Sequence, residues 1–105
     1  MTKSYGKSKE AALKVLVELL YDLFLPDEIL LFGSQARGDF KADSDFDLFL
    51  VNPKKPYRAS QVYRALKDKK VAIRYDILSV NTSNQEQVTT EVYQKARQEG
   101  IVLKK

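Results

Sequence analysis

The spacing of apolar residues predicts three helices along the chain. Apolar side chains recur at three- and four-residue steps over 7–24, which is the period of an amphipathic helix. Ser8 is the expected N-cap of this helix, and Pro26 is expected to stop it. The same period returns over 58–68 and 85–98. The apolar line predicted for the last of these helices consists of Val88, Val92 and Ala96.

Between the helices, shorter apolar runs predict strands. The run within 27–32 is apolar at four consecutive positions and is therefore expected to be buried on both faces of a sheet. Residues 45–51 and 71–80 also have the composition of strands. Gly100 is expected to end the last helix, and 101–103 to add a short extended piece. This order predicts one α/β domain over the whole sequence, with a small mixed sheet flanked by helices.

Two carboxylates open the second predicted strand. Side chains alternate between the faces of a strand, so Asp45 and Asp47 are expected to share one face, roughly 7 Å apart. A hard divalent cation such as Mg²⁺ prefers oxygen ligands and could bridge the two with its waters. Without a cation, the two negative charges repel each other and raise each other's pKa. The pair therefore predicts a metal site.

A small-residue turn follows the first predicted strand. Gly33 and Ser34 offer backbone N–H groups and a hydroxyl without side-chain bulk, and such a turn at the start of a short helix can bind an anion. A metal-binding pair beside a phosphate cradle is the layout for phosphoryl or nucleotidyl transfer. The alternative is a hairpin-like loop in which the two aspartates are solvated turn residues.

The spacing of these groups resembles a known signature. Gly33 and Ser34, then ten residues, then Asp45-x-Asp47 are similar to the motif of nucleotidyltransferases in the DNA polymerase β superfamily. The fuller strings, 33–38 and 44–48, resemble those of minimal nucleotidyltransferases (MNT), and of MntA-type antitoxins in particular. The resemblance covers nearly the whole chain. It implies the polymerase β-like nucleotidyltransferase fold.

The resemblance also implies a set of site residues. It makes Asp45 and Asp47 catalytic ligands of Mg²⁺, with two ions expected, and adds a third carboxylate from a neighbouring strand. Asp76 is the single acid within 71–80, so the resemblance implies that it is this third carboxylate. The alternative is that Asp76 is a surface residue paired with Arg74.

For the nucleotide, the resemblance implies ATP as the substrate. Gly33 and Ser34 would cradle its β- and γ-phosphates. Arg37 would either neutralise phosphate charge or brace the loop by pairing with Asp39 or Asp43, and both alternatives stay open. Arg74 is a weaker candidate for phosphate binding.

The resemblance further implies a protein partner. Minimal nucleotidyltransferases occur as antitoxins beside HEPN-type ribonuclease toxins, and the implied activity is adenylylation of a toxin tyrosine. A hetero-oligomer with the toxin is therefore expected. Two alternatives remain: a non-catalytic antitoxin that neutralises its partner by binding, and a nucleotidyltransferase that acts on a small molecule or RNA.

Composition narrows the chemistry further. The 105 residues contain no cysteine and no histidine, which excludes thiolate or imidazole zinc sites and a histidine general base. The sequence contains no run of 18 apolar residues, so no membrane-spanning helix is expected. The first ten residues are polar, so we expect a frayed leader over 1–6, no export signal and a cytoplasmic location. The net charge of +4 favours a solvated surface with basic ends over nucleic-acid binding.

Overall fold

The computed structural model describes residues 2–33 and 45–104, with side chains from residue 9 onward. Helix α1 spans Thr2–Phe24. It begins five residues ahead of the predicted start at Lys7, so the prediction of Ser8 as N-cap is wrong. The weakest helix former before Ser8 is Gly6, which costs about 1 kcal/mol within a helix and is not enough to set a boundary. Fraying of the first turn stays a prediction.

The C-terminus of α1 lies where the sequence predicts it. The Leu25 N–H donates to the Tyr21 carbonyl at 2.9 Å, the last bond of the helical ladder. Leu25 itself adopts a left-handed backbone (φ 49°), and Pro26 follows. Because proline cannot donate a backbone hydrogen bond, the helix ends here and the chain turns towards the first strand of the sheet.

The sheet has four strands: β1 (Glu28–Phe32), β2 (Phe46–Val51), β3 (Tyr75–Val80) and β4 (Ile101–Lys104). Their order is β3-β2-β1-β4. Strand β1 pairs antiparallel with both β2 and β4, whereas β2 and β3 run parallel. The predicted mixed sheet and α/β class are confirmed. The strand predicted over 71–80 is too long, because its first four residues are not in the sheet.

Those four residues link the end of the preceding helix to the sheet. Helix α2 spans Ala59–Asp68, close to the predicted 58–68. The Val71 N–H donates to the Leu66 carbonyl at 3.0 Å, which ties the chain to the last turn of α2 before it can enter the sheet. Val71 and Ile73 are partly buried and pack against the core cluster to which Val62 and Leu66 of α2 belong. Their alternation with exposed residues therefore reflects contact with the core. A strand with one buried face shows the same alternation, so the sequence does not distinguish the two.

Apolar clusters cover both faces of the sheet. On one face, α1 and α2 pack against a cluster that includes Leu31, Leu48 and Ile77. On the other, Leu30 and Phe49 pack with residues of the C-terminal helix. Neighbouring positions of β1 thus belong to opposite clusters, and the prediction that this strand is buried on both faces is confirmed.

The helix predicted over 85–98 is two helices. Helix α3 spans Gln85–Val88 and α4 spans Glu91–Glu99. Thr90 between them has an extended backbone (φ −65°, ψ 145°), and its hydroxyl oxygen accepts a hydrogen bond from the Tyr93 N–H at 3.3 Å. A threonine that caps a new helix competes with continuation of the old one.

The break also changes which side chains of α4 are buried. Tyr93 and Ala96 face the sheet, and Val88 is partly buried against the same cluster. Val92 is 43% exposed, so the predicted line through Val88, Val92 and Ala96 is wrong at Val92 alone. The Tyr93 ring packs edge-on against Phe49 with centroids 5.5 Å apart. A helix that restarts at a new cap does not keep the phase of the previous one, and an aromatic contact then sets its rotation.

Helix α4 ends at Gly100, as predicted, and β4 follows directly. The Gly100 N–H donates to the Ala96 carbonyl at 2.8 Å. The Arg97 guanidinium binds the Glu28 carboxylate and so ties α4 to β1. Among the helices that the structure describes, none has the length and apolar character needed to cross a membrane.

Candidate active site

The predicted acids meet where β1 ends and β2 begins. The strand register places Asp47 opposite Phe32 of β1 and opposite Asp76 of β3. Neighbouring strands lie about 4.8 Å apart, so Asp47 and Asp76 are direct neighbours across the parallel pair. Asp45 lies immediately before β2. The sheet therefore brings together three acids that are up to 31 residues apart in the sequence.

Asp47 is the acid most affected by this arrangement. Partial burial raises the pKa of its carboxyl, and the negative charges of Asp76 and Asp45 raise it further. The mutual repulsion expected from the sequence is therefore found at Asp47. A site that disfavours its own carboxylate is one in which a cation would be stabilised.

Gly33 touches this carboxylate. Its backbone is left-handed (φ 77°), a conformation that side chains with a Cβ rarely adopt. A Cβ placed there would overlap Asp47 Oδ2 and lie 3.3 Å from Asp47 Cγ. Glycine at this position thus serves both the turn and the close approach of the backbone to the acid.

Asp45 is held by an ion pair that sequence reasoning did not assign. Arg74 Nε lies 3.0 Å from Asp45 Oδ1, with the two side chains 71% and 43% exposed. The Phe46 N–H donates to the Arg74 carbonyl at 3.0 Å, which keeps the two segments side by side. The pairing with Asp76 that was the alternative for Arg74 is not the one observed. An exposed pair of this kind contributes about 0–1 kcal/mol, so a cation can readily displace Arg74.

The acids are close to one another but do not form a closed cage. In the described part of the chain, no three acidic side chains converge tightly enough to hold a metal ion as they stand. The donor set nevertheless suits Mg²⁺, which prefers carboxylate oxygens and usually keeps several waters and substrate phosphates as ligands. Asp47 and Asp76 supply the facing pair, and Asp45 can join them if it leaves Arg74.

Two predicted site residues cannot be placed. Ser34 and Arg37 lie within 34–44, outside the described residues, as do Asp39 and Asp43, the suggested partners of Arg37. The phosphate-binding role of Ser34 and both roles considered for Arg37 stay predictions.

The structure adds one neighbour of the site that the sequence did not reveal. Burial raises the pKa of the Tyr57 hydroxyl, and the nearby Tyr75 and Asp76 raise it further. Tyr57 also packs edge-on against Phe24, with ring centroids 5.2 Å apart. No sequence signal identifies it, because it lies in a proline-containing loop 19 residues before Asp76.

Comparisons with known proteins agree with this geometry. Residues 14–103 match the model of the family described as Polymerase beta, Nucleotidyltransferase. A crystal structure named as a candidate nucleotidyltransferase from Sulfolobus solfataricus is similar in fold, with a TM-score of 0.53. It is 20% identical in sequence, and the match covers 94% of this chain and 85% of that chain. No curated protein matches the chain.

The family match covers most of the chain, including both Gly33 and the three acids. The family match therefore supports nucleotidyl transfer as the class of reaction. The chain belongs to the polymerase β nucleotidyltransferase family.

Proposed function

We propose that this protein transfers AMP from ATP to a tyrosine hydroxyl of a protein partner, a HEPN-type ribonuclease toxin, and thereby acts as an antitoxin. The observation that carries the proposal is the facing pair Asp47 and Asp76 beside Gly33, in a chain of this family. The raised pKa of Asp47 marks this end of the sheet as a place that favours bound positive charge.

Magnesium is the cofactor that the donor set fits. Asp45, Asp47 and Asp76 would hold it, with two ions expected. When bound, Mg²⁺ supplies charge neutralisation at the phosphates and lowers the pKa of the attacking hydroxyl.

The protein's own residues orient the reactants and move the proton. The tyrosine oxygen attacks the α-phosphorus of ATP and forms a new P–O bond. The bond from that phosphorus to the oxygen bridging to the β-phosphate breaks, and pyrophosphate leaves. Asp76 accepts the tyrosine proton and returns it to solvent. Gly33 keeps the backbone close to Asp47, with Ser34 as the proposed donor to the leaving phosphates.

Two observations support a protein acceptor. The first is the resemblance to minimal nucleotidyltransferases that occur beside HEPN toxins. The second is the surface around Asp76, because Leu78 follows it on the same face of β3 and is 37% exposed. In the described residues, no strand pairs with the outer edge of β3. An approaching protein could cover this edge and supply the orientation that such a transfer needs.

The test is an intact-mass measurement on the product of the adjacent gene. That protein is incubated with ATP, Mg²⁺ and this chain, and its mass is expected to rise by one or more adenylyl units. Asp76→Asn, which keeps the shape but loses the proton acceptor, should add none. If the partner's mass never changes while its ribonuclease activity is still suppressed, the protein is a binding antitoxin. Transfer of label from ATP to RNA or a small molecule would instead identify a different acceptor.

A further inference from the structure

A cavity of about 610 Å³ lies on the sheet face opposite the acids. Its floor is apolar and includes Phe46, Leu66 and Ile73. It lies between α1, the end of α2 and the segment that leads into β3. Its volume falls within the range of ligand-binding pockets, so it can take large apolar side chains of one segment.

Positive charge surrounds this apolar floor. Among the lining residues that the structure describes, Lys9, Lys67 and Arg74 are cationic and none is acidic. Residues 64–74 contain five Lys and Arg and one Asp, a net charge of +4 that equals the charge of the whole chain. All six of these charged side chains are exposed. Of these cations, Lys67 and Arg74 line the cavity, and the other three lie in the same short segment beside it.

From this juxtaposition we infer that the cavity and its basic rim form a docking surface for an acidic segment of a protein partner, which inserts large apolar side chains. Protein interfaces commonly place an apolar anchor in a central pocket with charged groups around it. Opposite charge on the partner would steer its approach and fix its orientation. RNA is the competing ligand, because three aromatic side chains line the cavity and bases stack on aromatic faces. It fits less well, because most of the apolar lining is aliphatic and offers bases no face to stack on.

The surface adjoins the candidate active site through shared residues. Arg74 lines the cavity and pairs with Asp45. Phe46 and Tyr75 face each other in the register and line the cavity, and the next pair, Asp47 and Asp76, points to the opposite face. A partner seated in the cavity would therefore lie at the Tyr75 end of β3, and would extend around the outer edge of this strand to reach Asp76 on the other face. The inference rests on the proposed function in one respect, namely that the docked partner is the acceptor.

Fluorescence anisotropy with synthetic peptides tests the docking without ATP or Mg²⁺. The probe is a labelled peptide of about twelve residues, rich in Glu and Asp, with Leu-Phe at its centre. Two reference peptides replace Leu-Phe by Ser-Ser or the acids by Lys, and a labelled single-stranded RNA of similar length is the fourth ligand. We expect the acidic Leu-Phe peptide to bind at least about tenfold more tightly than each of the other three, a difference of about 1.4 kcal/mol.

Two variants place the binding at the cavity. Ala72→Trp fills the cavity mouth, and Lys67→Glu reverses a rim charge; each is expected to weaken the peptide about tenfold. Lys95→Glu is the matched control, because Lys95 is also exposed on a helix but lies on α4. It should change affinity less than about twofold, and melting temperatures confirm that all three variants fold.

Several results would overturn the inference. They are no peptide binding, equal binding of the Leu-Phe and Ser-Ser peptides, RNA binding as tight as the peptide, and an equal effect of Lys95→Glu and Lys67→Glu. Because no nucleotide is present, failure here leaves the mass measurement on the adjacent gene product unaffected, and the two hypotheses fail separately.

Discussion

The ionisation of Asp47 affects both the stability of the fold and the proposed metal site. Its carboxyl is partly buried and is flanked by Asp76 and Asp45, so its pKa is raised above the ordinary value of 3.8. The folded state therefore keeps this proton to a higher pH than the unfolded chain does. As the pH rises from about 3.8 through the raised pKa, the carboxylate forms and the protein loses stability. Such a residue weakens the metal-free fold.

Asp47→Asn is therefore expected to stabilise the metal-free protein at neutral pH. The gain should shrink towards zero near pH 3, where the carboxyl is protonated in both the folded and the unfolded state. Urea denaturation in EDTA at about pH 7 and about pH 3 measures both values. Asp22→Asn is the control, because Asp22 is exposed on α1 and is not one of the acids that raise the pKa of Asp47. A marked loss of stability in Asp47→Asn at neutral pH would mean that the carboxylate has a structural role.

Gly33→Ala tests the close approach of the turn to Asp47. The left-handed backbone costs a residue with a Cβ about 1–2 kcal/mol, and the new atom would displace the Asp47 carboxylate. We expect a loss of stability of at least this size, together with a loss of Mg²⁺-dependent ATP binding. Urea denaturation and titration calorimetry measure the two effects.

Gly100→Ala is the matched control for that variant. A Cβ at Gly100 would overlap the Ala96 carbonyl, so this variant should also lose stability. It lies at the end of α4, however, and the folded protein should keep its ATP affinity. If Gly33→Ala binds ATP as the wild type does, the turn does not shape the site.

At the scale of elements, the sequence predicts most of the fold because its strands and helices carry local signals. The apolar run of β1, the pair of acids that opens β2 and Gly100 after α4 each mark a boundary within a residue or two. Thr90 was missed, because threonine is acceptable inside a helix and becomes a cap once Tyr93 packs on Phe49. The start of β3 was missed because Val71 and Ile73 alternate like a strand while packing beside α2.

At the scale of the whole molecule, the sheet explains which parts of the site could be predicted. Asp47 and Asp76 become neighbours because β2 and β3 pair in parallel register. The resemblance to polymerase β-like proteins implied a third carboxylate on a neighbouring strand, but not this register. The ion pair of Arg74 with Asp45 and the cavity beside it could not be predicted. They depend on how α1, α2 and the segment before β3 meet. The position of Ser34 and Arg37 remains a prediction from the motif.

The distribution of charge over the surface is also a property of the whole molecule. The net charge of +4 is modest and was interpreted from the sequence as a solvated surface with basic ends. In the fold, the segment 64–74, with five basic residues and one acid, lies next to an apolar cavity. A total charge therefore says little about partners until the structure shows where it lies.

Calorimetric titration with ATP, in Mg²⁺ and in EDTA, tests most directly the claim that Asp47 and Asp76 form a cation-dependent nucleotide site. We predict binding in Mg²⁺, little or none in EDTA, and loss of the Mg²⁺-dependent binding in Asp47→Asn, which urea denaturation should show to be folded. Asp22→Asn should bind as the wild type does. Equal affinity for ATP in Mg²⁺ and in EDTA, or unchanged binding by Asp47→Asn, would contradict the account.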